Sequence, residues 1–374
     1  MATVPSPSLF QRFKIAKPKV TVSKDPQDAL RIGILGAANI APNALINPAK
    51  SMKSINVVSV AARDHNKAKD YATAHGIPST HASYDALISD PSIDCIYNPL
   101  PNGLHYEWTK KALEAGKHVL LEKPAASNAA QTREMFELAK SKNLVLLEAF
   151  HYRFHPASIF FKDLIQKHLV EGHQLQKVES IMSFGSIFPK DDIRFNFKLA
   201  GGVLMDCGGY NVNSIRYFSG LEVEKVDTAV PKIISEEIDG RMEATLQLVG
   251  GVPAKLTASL TNPWFSLQTW REIMPRVIVE TDAKIFTFGM FVMPGAYHYF
   301  TVKDKATGST ENLPKVYNEG YSTYRYQLEA FVKAVKNGGG DEKSIPGWVS
   351  GGDSVANMTV LDSIYTAAGM KVRE

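Results

Sequence analysis

The sequence predicts an α/β unit followed by an α+β unit: a doubly wound parallel sheet at the N-terminal side, then a domain built on a large, mostly antiparallel open sheet. Three observations predict it. From about residue 30 to residue 148, short apolar runs alternate with segments rich in Ala, Leu, Glu and Lys at helical spacing. After Phe150 the strand-like runs follow one another with few helices between them. The chain is 374 residues long, more than one core ordinarily organises. Alternation implies parallel strands because crossover helices must cover both sheet faces, whereas consecutive strands pair antiparallel through short turns.

Residues 1–29 read as an N-terminal arm, with Arg12, Lys14, Lys17, Lys19 and Lys24 among Ser, Pro and scattered apolar residues. Such an arm is expected to lie on the folded body; an organelle presequence would want more Arg and Ser and a cleaner amphipathic pattern. In the dinucleotide-binding domain, residues 30–150, strands are expected over residues 31–35, 56–62, 93–97, 118–121 and 144–148. Helices are expected over 67–75, 105–115 and 129–142. A ligand crevice should lie beyond the carboxyl ends of these strands. Residues 151–374 form the expected substrate and oligomerisation domain. Its strands are placed over 177–186, 223–230, 242–249, 254–260 and 276–280, with turns at Asp239-Gly240 and Gly250-Gly251, and its late helices over 324–336 and 355–368.

Composition narrows the function classes. With 44% hydrophobic and 21% charged residues the chain is an ordinary folded protein rather than a disordered or fibrous one. Its 42 basic and 38 acidic residues are spread along the chain without the dense Lys/Arg clusters that nucleic acid requires. No apolar run approaches the ~18 residues of a membrane span, and no signal-peptide core is present. Cys95 and Cys207 lie in apolar or small-residue stretches, which argues against a disulfide framework. The cytoplasm is the expected compartment.

The first chemical signal is Gly33-Ile-Leu-Gly36-Ala-Ala38-Asn39-Ile40-Ala41, where the first strand runs into the first helix. A Rossmann fingerprint needs small residues there, because the backbone turns tightly and approaches a pyrophosphate held on helix N–H groups. Gly36 fills the first small position, Ala38 and Ala41 the second and third. By itself this is a degraded match; its place in a strand, turn and helix makes it a cofactor site. The second strand ends at Arg63, a residue type that accommodates a ribose 2′-phosphate and so favours NADP. Asp64 follows at once, and dual use of NAD stays open. A third segment, Tyr97-Asn-Pro-Leu-Pro101-Asn102-Gly-Leu-His105, follows a strand end. Asn102 there either caps the next helix or meets the cofactor, and His105 is either a ligand contact or a surface histidine at a helix start.

The fourth segment is the most specific. Glu122-Lys123-Pro124 after a strand, preceded by Gly116-Lys-His-Val119, resembles the Gfo/Idh/MocA family of oxidoreductases. The likeness continues through Pro101-Asn102-x-x-His105, Glu148-Ala-Phe150-x-x-Arg153-x-x-Pro156 and Gly201-Gly202-x-Leu204-x-Asp206-x-Gly208-x-Tyr210. Within the family the chain is similar to the branch of dimeric trans-dihydrodiol dehydrogenases and NADP-dependent D-xylose dehydrogenases. Tyr at 210, where many sugar-handling members carry His, and Asp192-Ile-Arg194-Phe carry that narrower likeness.

The resemblance implies Lys123 beside the nicotinamide, Tyr210 across the substrate carbon and Asp206 near both. Oxidising a carbinol needs a group that removes the hydroxyl proton as hydride leaves, and reduction needs a donor to the developing alkoxide. Tyr210 is assigned that proton and Lys123 the polarising of the substrate oxygen; the reverse assignment stays open. Asp206, four residues before Tyr210 on an expected helix, either faces substrate or caps that helix. Arg153, His155 and Arg194 are candidate pocket-wall residues, with a surface position or an interdomain salt bridge as the alternative for each. The implied reaction interconverts a D-xylose-like aldopyranose and its lactone, or oxidises a trans-cyclic diol. The alternatives are a different biosynthetic small molecule or a non-catalytic NADP-sensing regulator. No His, Cys, Asp and Glu set has zinc-site spacing, and no metal is expected. The apolar residues 286–294, with Tyr297 and Tyr299, are expected to form a free sheet face for a homodimer, ordinary core strands being the alternative.

Overall fold

The computed structural model describes residues 21–25, 27–185, 188–189, 191–235, 237–262, 274–339 and 342–374. The chain divides into two compact units, Met1–His155 with Asn318–Ser354 and Pro156–Tyr317 with Val355–Glu374. No described helix is long and apolar enough to cross a membrane.

The first unit holds a six-stranded parallel sheet in the order β3-β2-β1-β4-β5-β6. Its strands are β1 (Leu30–Leu35), β2 (Ile55–Ala61), β3 (Ser79–His81), β4 (Cys95–Asn98), β5 (His118–Leu121) and β6 (Leu146–Glu148). This is the doubly wound order whose direction reverses between β1 and β4, the place where such sheets open a ligand crevice. Ile32, Ile34, Ile96, Val119, Leu120 and Leu121 are fully buried, as strands covered on both faces require.

Several helices of this unit begin at a residue whose side chain caps them. The first, α1, is a π-turn over Pro42–Ile46 running into Asn47–Lys50. Asp64 caps α2 (His65–His75) and Ser83 caps α3 (Tyr84–Ser89). Next come α4 (His105–Glu114) and α5 (Ala129–Ser141), the latter capped by Asn128. A later segment adds α8 (Thr323–Lys336), capped by Ser322. The short β3 and α3 escaped the sequence reading because three and six residues display too little period to register. Of the N-terminal arm, Arg12, Lys14, Lys17 and Lys19 lie outside the described residues. Farther on, Val22 N–H donates to Lys50 O at 3.0 Å, and Lys24 Nζ donates to the carbonyls of Ala49 and Met52 at 2.5 and 2.8 Å.

The second unit holds an eight-stranded sheet in the order β14-β13-β12-β11-β7-β10-β9-β8. These strands are β7 (Leu175–Gly185), β8 (Val223–Ser235), β9 (Ile238–Leu248), β10 (Val252–Asn262), β11 (Arg276–Thr281), β12 (Lys284–Gly289), β13 (Tyr299–Asp304) and β14 (Thr310–Leu313). Neighbours pair antiparallel except β10 with β7. One face packs against α6 (Pro156–Val170) and α7 (Gly209–Ser219): the Phe161 ring lies 5.1 Å from Phe218 and 5.2 Å from Phe288. The other face is polar along β9 and carries the exposed Val230 of β8 opposite Glu243. Along β9 the buried Met242, Ala244 and Leu246 alternate with Arg241, Glu243 and Thr245, and Glu243 pairs with Arg241 and Lys255.

Two expectations are corrected here. The apolar segment 286–294 is not a free face: Phe286, Phe288 and Phe291 are buried in the aromatic core, and Met293 alone is exposed among its large hydrophobics. Asp239-Gly240 is not a turn but the start of β9, and Asp239 is fully buried. The last helix, α9 (Gly351–Ala367), begins four residues earlier than its apolar pattern announced.

Candidate functional site

In the first unit the cofactor candidates gather at the carboxyl ends of adjacent strands. β1 ends at the turn of Gly36, which adopts φ +87°. A Cβ there would sit 3.0 Å from Leu100, so the backbone conformation and the space both call for glycine. Gly36 N–H donates to Ala61 O at 2.7 Å, tying the turn to the end of β2. Ala38 and Ile40 are half-buried and Asn39 is exposed, whereas Ala41, the third small position, is fully buried at the start of α1. Tyr71 O–H donates to Ala38 O at 2.9 Å and holds the loop from α2.

At the end of β2, Arg63 is exposed and Asp64 is engaged. The Asp64 carboxylate accepts from Asn66 N–H at 2.9 Å and Lys67 N–H at 3.4 Å as the cap of α2. The one acidic group placed to take a ribose 2′-hydroxyl therefore already has backbone donors, and Arg63 is the residue free of that duty.

The loops after β4 and β5 are joined by His105. Far from being a surface histidine, it is fully buried, with Nδ1 2.8 Å from Pro124 O and Nε2 2.7 Å from Leu100 O. Burial, helped by the charge of Lys123, pushes its pKa down to about 4. A neutral imidazole donates to only one of the two carbonyls at a time, yet the ring spans the Pro101-Asn102 loop and the Glu122-Lys123-Pro124 loop. Asn102 opens a 3₁₀ turn and does not cap α4, whose N-cap position is Leu104. Pro101, at φ −55° and ψ 146°, precedes that turn.

Glu122 and Lys123 follow β5, and the Lys123-Pro124 bond is cis. Glu122 accepts from Tyr97 O–H at 2.7 Å; burial raises its pKa, against the opposing pull of that bond and of Lys123. His151, buried at the start of the next segment, lies 2.8 Å from Thr323 Oγ1, with its ring 4.1 Å from that of Tyr324 and tilted by 37°. Burial and Lys123 push His151 down to about 3. Tyr97, His151 and Tyr324 thus surround the strand ends, a role that the sequence reading did not assign them. Tyr97 and His151 stood inside the motifs it quoted; Tyr324 comes from α8 and gives no local signal.

Arg153 and His155 are core residues of this unit. Arg153 is 6% exposed, with an ion pair to Asp353 and a 2.7 Å bond to Trp348 O. His155 is fully buried edge-on to Tyr326. Arg153 is engaged in a salt bridge, and its partner lies within the same unit.

The second unit carries the Asp206 and Tyr210 group. The chain passes Gly202 at φ +126°, enters a π-turn over Leu204–Gly208 and continues as α7. Helix turns of this kind occur often at functional sites. Asp206 Oδ2 accepts from Arg194 Nε at 2.8 Å, and Arg194 also pairs with Asp192 at 3.0 Å and lies over the Phe188 ring at 4.1 Å. Arg194 and Asp206 are both half-buried, while Tyr210 is 5% exposed.

Asp206 does not cap its helix; Asp239 does that work from β9. Its Oδ2 accepts from Leu204 N–H at 2.7 Å, and its Oδ1 accepts from Tyr365 O–H at 3.1 Å and Arg373 Nη2 at 3.0 Å. Arg373 is 1% exposed and also donates to Gly201 O at 2.8 Å and Lys371 O at 2.9 Å. A Cβ on Gly202 would lie 2.3 Å from Asp239 Oδ1, which is why a glycine stands there.

Comparison with known proteins agrees with this layout. A family model described as "Oxidoreductase family, NAD-binding Rossmann fold" matches residues 30–150, and one for the GFO/IDH/MocA C-terminal domain matches residues 167–273. The chain is 33% identical to D-xylose 1-dehydrogenase (NADP(+)) 2 of Haloferax volcanii over 91% of its length and 97% of the relative's. It is 33% identical to the mouse trans-1,2-dihydrobenzene-1,2-diol dehydrogenase over 63% of its length and 69% of that enzyme's. Among solved structures it is similar to KijD10, a 3-ketoreductase from Actinomadura kijaniata in complex with NADP and TDP-benzene. That likeness has a TM-score of 0.78 and 25% identity, covering 91% of this chain and 98% of the other.

Proposed function

The chain belongs to the Gfo/Idh/MocA family of oxidoreductases, and from that premise we propose that it is an NADP-dependent dehydrogenase acting on a CH–OH carbon of a sugar or a trans-cyclic diol. A D-xylose-like aldopyranose, oxidised to its lactone, is the first substrate to try, in keeping with the D-xylose dehydrogenase relative. The observation that carries the cofactor assignment is at the end of β2. Asp64 is engaged by its helix cap, and the exposed Arg63 offers a guanidinium to a 2′-phosphate. The turn at Gly36, whose φ of +87° calls for glycine where β1 runs toward α1, supports a pyrophosphate site there. Asn39, Ile40, Pro101, Asn102, His105 and Glu122 are the further residues proposed to hold or shape the nucleotide site.

A bound nicotinamide supplies the hydride acceptor. Tyr210 removes the substrate hydroxyl proton and returns it in the reverse direction, while Lys123 polarises the substrate oxygen. Asp206, paired with Arg194, accepts a hydrogen bond from a substrate hydroxyl in this proposal. The proposal includes a cytoplasmic setting, in keeping with the buried free thiols of Cys95 and Cys207. It also includes a homodimer formed through the second unit's sheet, supported by the exposed Val230, Ile233 and Ile234 on β8.

Initial rates of nicotinamide reduction, measured with NADP and NAD separately against D-xylose, D-glucose and a trans-cyclohexanediol, test the reading. NADP reduction with at least one of these is expected; equal or better use of NAD would refute the cofactor assignment. In the same assay Tyr210→Phe should lower kcat by ~10²–10⁴, the range for a lost acid/base group. Near-normal turnover of that variant would pass the proton to Lys123, whose replacement Lys123→Met is the companion measurement.

A further inference from the structure

Two histidines and a carboxylate of the second unit, none of them given a part in the proposed reaction, converge on one another. His168 stands in the last turn of α6, His173 in the loop that follows, and Asp282 in the turn between β11 and β12. One ligating atom from each, a ring nitrogen or a carboxylate oxygen, lies within 4.8 Å of the other two. The imidazole rings stack with centroids 3.9 Å apart and planes 14° from parallel. The backbones beneath them are tied together: Gln174 N–H donates to Asp282 Oδ1 at 3.2 Å and Asp282 N–H to Gln174 O at 3.0 Å. The cluster is therefore held on two joined elements rather than on independent surface side chains.

The protonation of His168 can be read from its neighbour. Thr281 O–H donates to Lys284 O at 3.2 Å, which leaves its oxygen as an acceptor for His168 Nε2–H at 3.1 Å. The other nitrogen, Nδ1, then presents a lone pair, and it faces the Glu171 carboxylate at 3.9 Å. A lone pair opposite a carboxylate calls for a cation between them. His173 Nδ1 in turn lies 3.1 Å from Asp282 Oδ1.

We propose that His168, His173 and Asp282 form a binding site for a divalent transition cation of the zinc type, with Glu171 placed to complete the ligand set. Imidazole and carboxylate ligands suit this ion class, and one buried histidine whose second nitrogen is fixed by an outer partner is the arrangement that metal-binding histidines ordinarily show. Ligand atoms about 2.1 Å from a zinc ion lie roughly 3.4 Å from one another, so side-chain closure on the order of 1 Å converts the cluster into a chelate. The ion would clamp the end of α6 to the β11–β12 turn and has no part in hydride transfer.

Zinc chloride titrated calorimetrically into the full chain, freed of metal by dialysis against a chelator, tests this. Saturable binding of one zinc per chain is expected, with a rise in the thermal unfolding midpoint. His173→Ala and Asp282→Asn should each weaken binding by at least ~10-fold while leaving the oxidoreductase rate of the metal-free protein unchanged. Both side chains are about a third or more exposed, at 35% and 42%, so neither substitution threatens the fold. Absence of saturable binding, or binding in both variants equal to that of the unaltered chain, would overturn the proposal.

Discussion

Replacing Arg373 with Met tests whether the network behind Asp206 and Tyr210 holds their helix in place. The guanidinium pairs with Asp239 at 3.0 Å, and both side chains are fully buried. It also donates to Gly201 O and Lys371 O and lies over the rings of Tyr365 at 4.1 Å and Phe197 at 4.7 Å. Methionine fills part of the volume but leaves the Asp239 carboxylate without its cation, and breaking a buried pair in this way costs about 3–5 kcal/mol. In a domain of this size each kcal/mol lowers the unfolding midpoint by roughly 2–4 °C, so a fall of about 6–20 °C is expected. Because Asp239 also accepts from Leu204 N–H, the loss should reach the π-turn that carries Asp206 and reduce kcat/KM. Thermal unfolding of Arg373→Met, Asp239→Asn and the double variant forms the cycle that isolates the pair. The double variant should recover much of the loss, since no charge is then stranded. A single-variant loss below about 1 kcal/mol, or strict additivity in the cycle, would refute the argument.

Three further outcomes are expected. Arg63→Ala removes charge-assisted hydrogen bonds of about 1.5–3 kcal/mol to a 2′-phosphate; KM for NADP should rise by roughly ten- to a hundredfold with little change for NAD, as initial rates with each cofactor will show. Gly202→Ala forces a Cβ to 2.3 Å from Asp239 Oδ1 at φ +126°; the backbone alone costs about 1–3 kcal/mol, and the unfolding midpoint should drop visibly. Glu148, buried and pushed up to about 7, holds a proton in the folded chain that the unfolded chain releases near 4.5. Its contribution is therefore present below pH 4.5 and lost as pH rises through 7, about 3 kcal/mol across that window. Glu148→Gln keeps an acceptor for Ala125 N–H and should remove this component, so its unfolding midpoint relative to the unaltered chain should improve between pH 5 and pH 8.

The residues proposed for the cofactor stand out in the sequence because the patterns that propose them are local. A turn that must be small, a strand-end arginine and a Glu-Lys-Pro loop each declare themselves within a few residues, and the strand order then brings Gly36, Arg63, Asn102 and Lys123 to neighbouring strand ends. The aromatic groups around them were harder to see. Tyr97 and His151 sat in motifs whose other members drew the attention, and Tyr324 arrives from a helix more than two hundred residues later in the chain. Arg153 looked like a substrate arginine because an isolated sequence does not display Asp353 beside it.

Local pattern by itself determined the alternation of the first unit and the runs of strand in the second, since periodicity, capping residues and glycine turns act over distances the chain writes in order; the family came from the resemblance of its motifs. Only the tertiary structure decided which polar residues are buried partners and which remain accessible. It moved Asp239 from a turn to the cap of the Asp206 helix and put residues 286–291 into the core rather than on a free face. It set aside the surface alternative for His105 and made the residue a buried link between two loops. The physical reason is common to these cases: the cost of burying a charge or an aromatic ring depends on partners distant in sequence, and those partners are named only when the chain has folded.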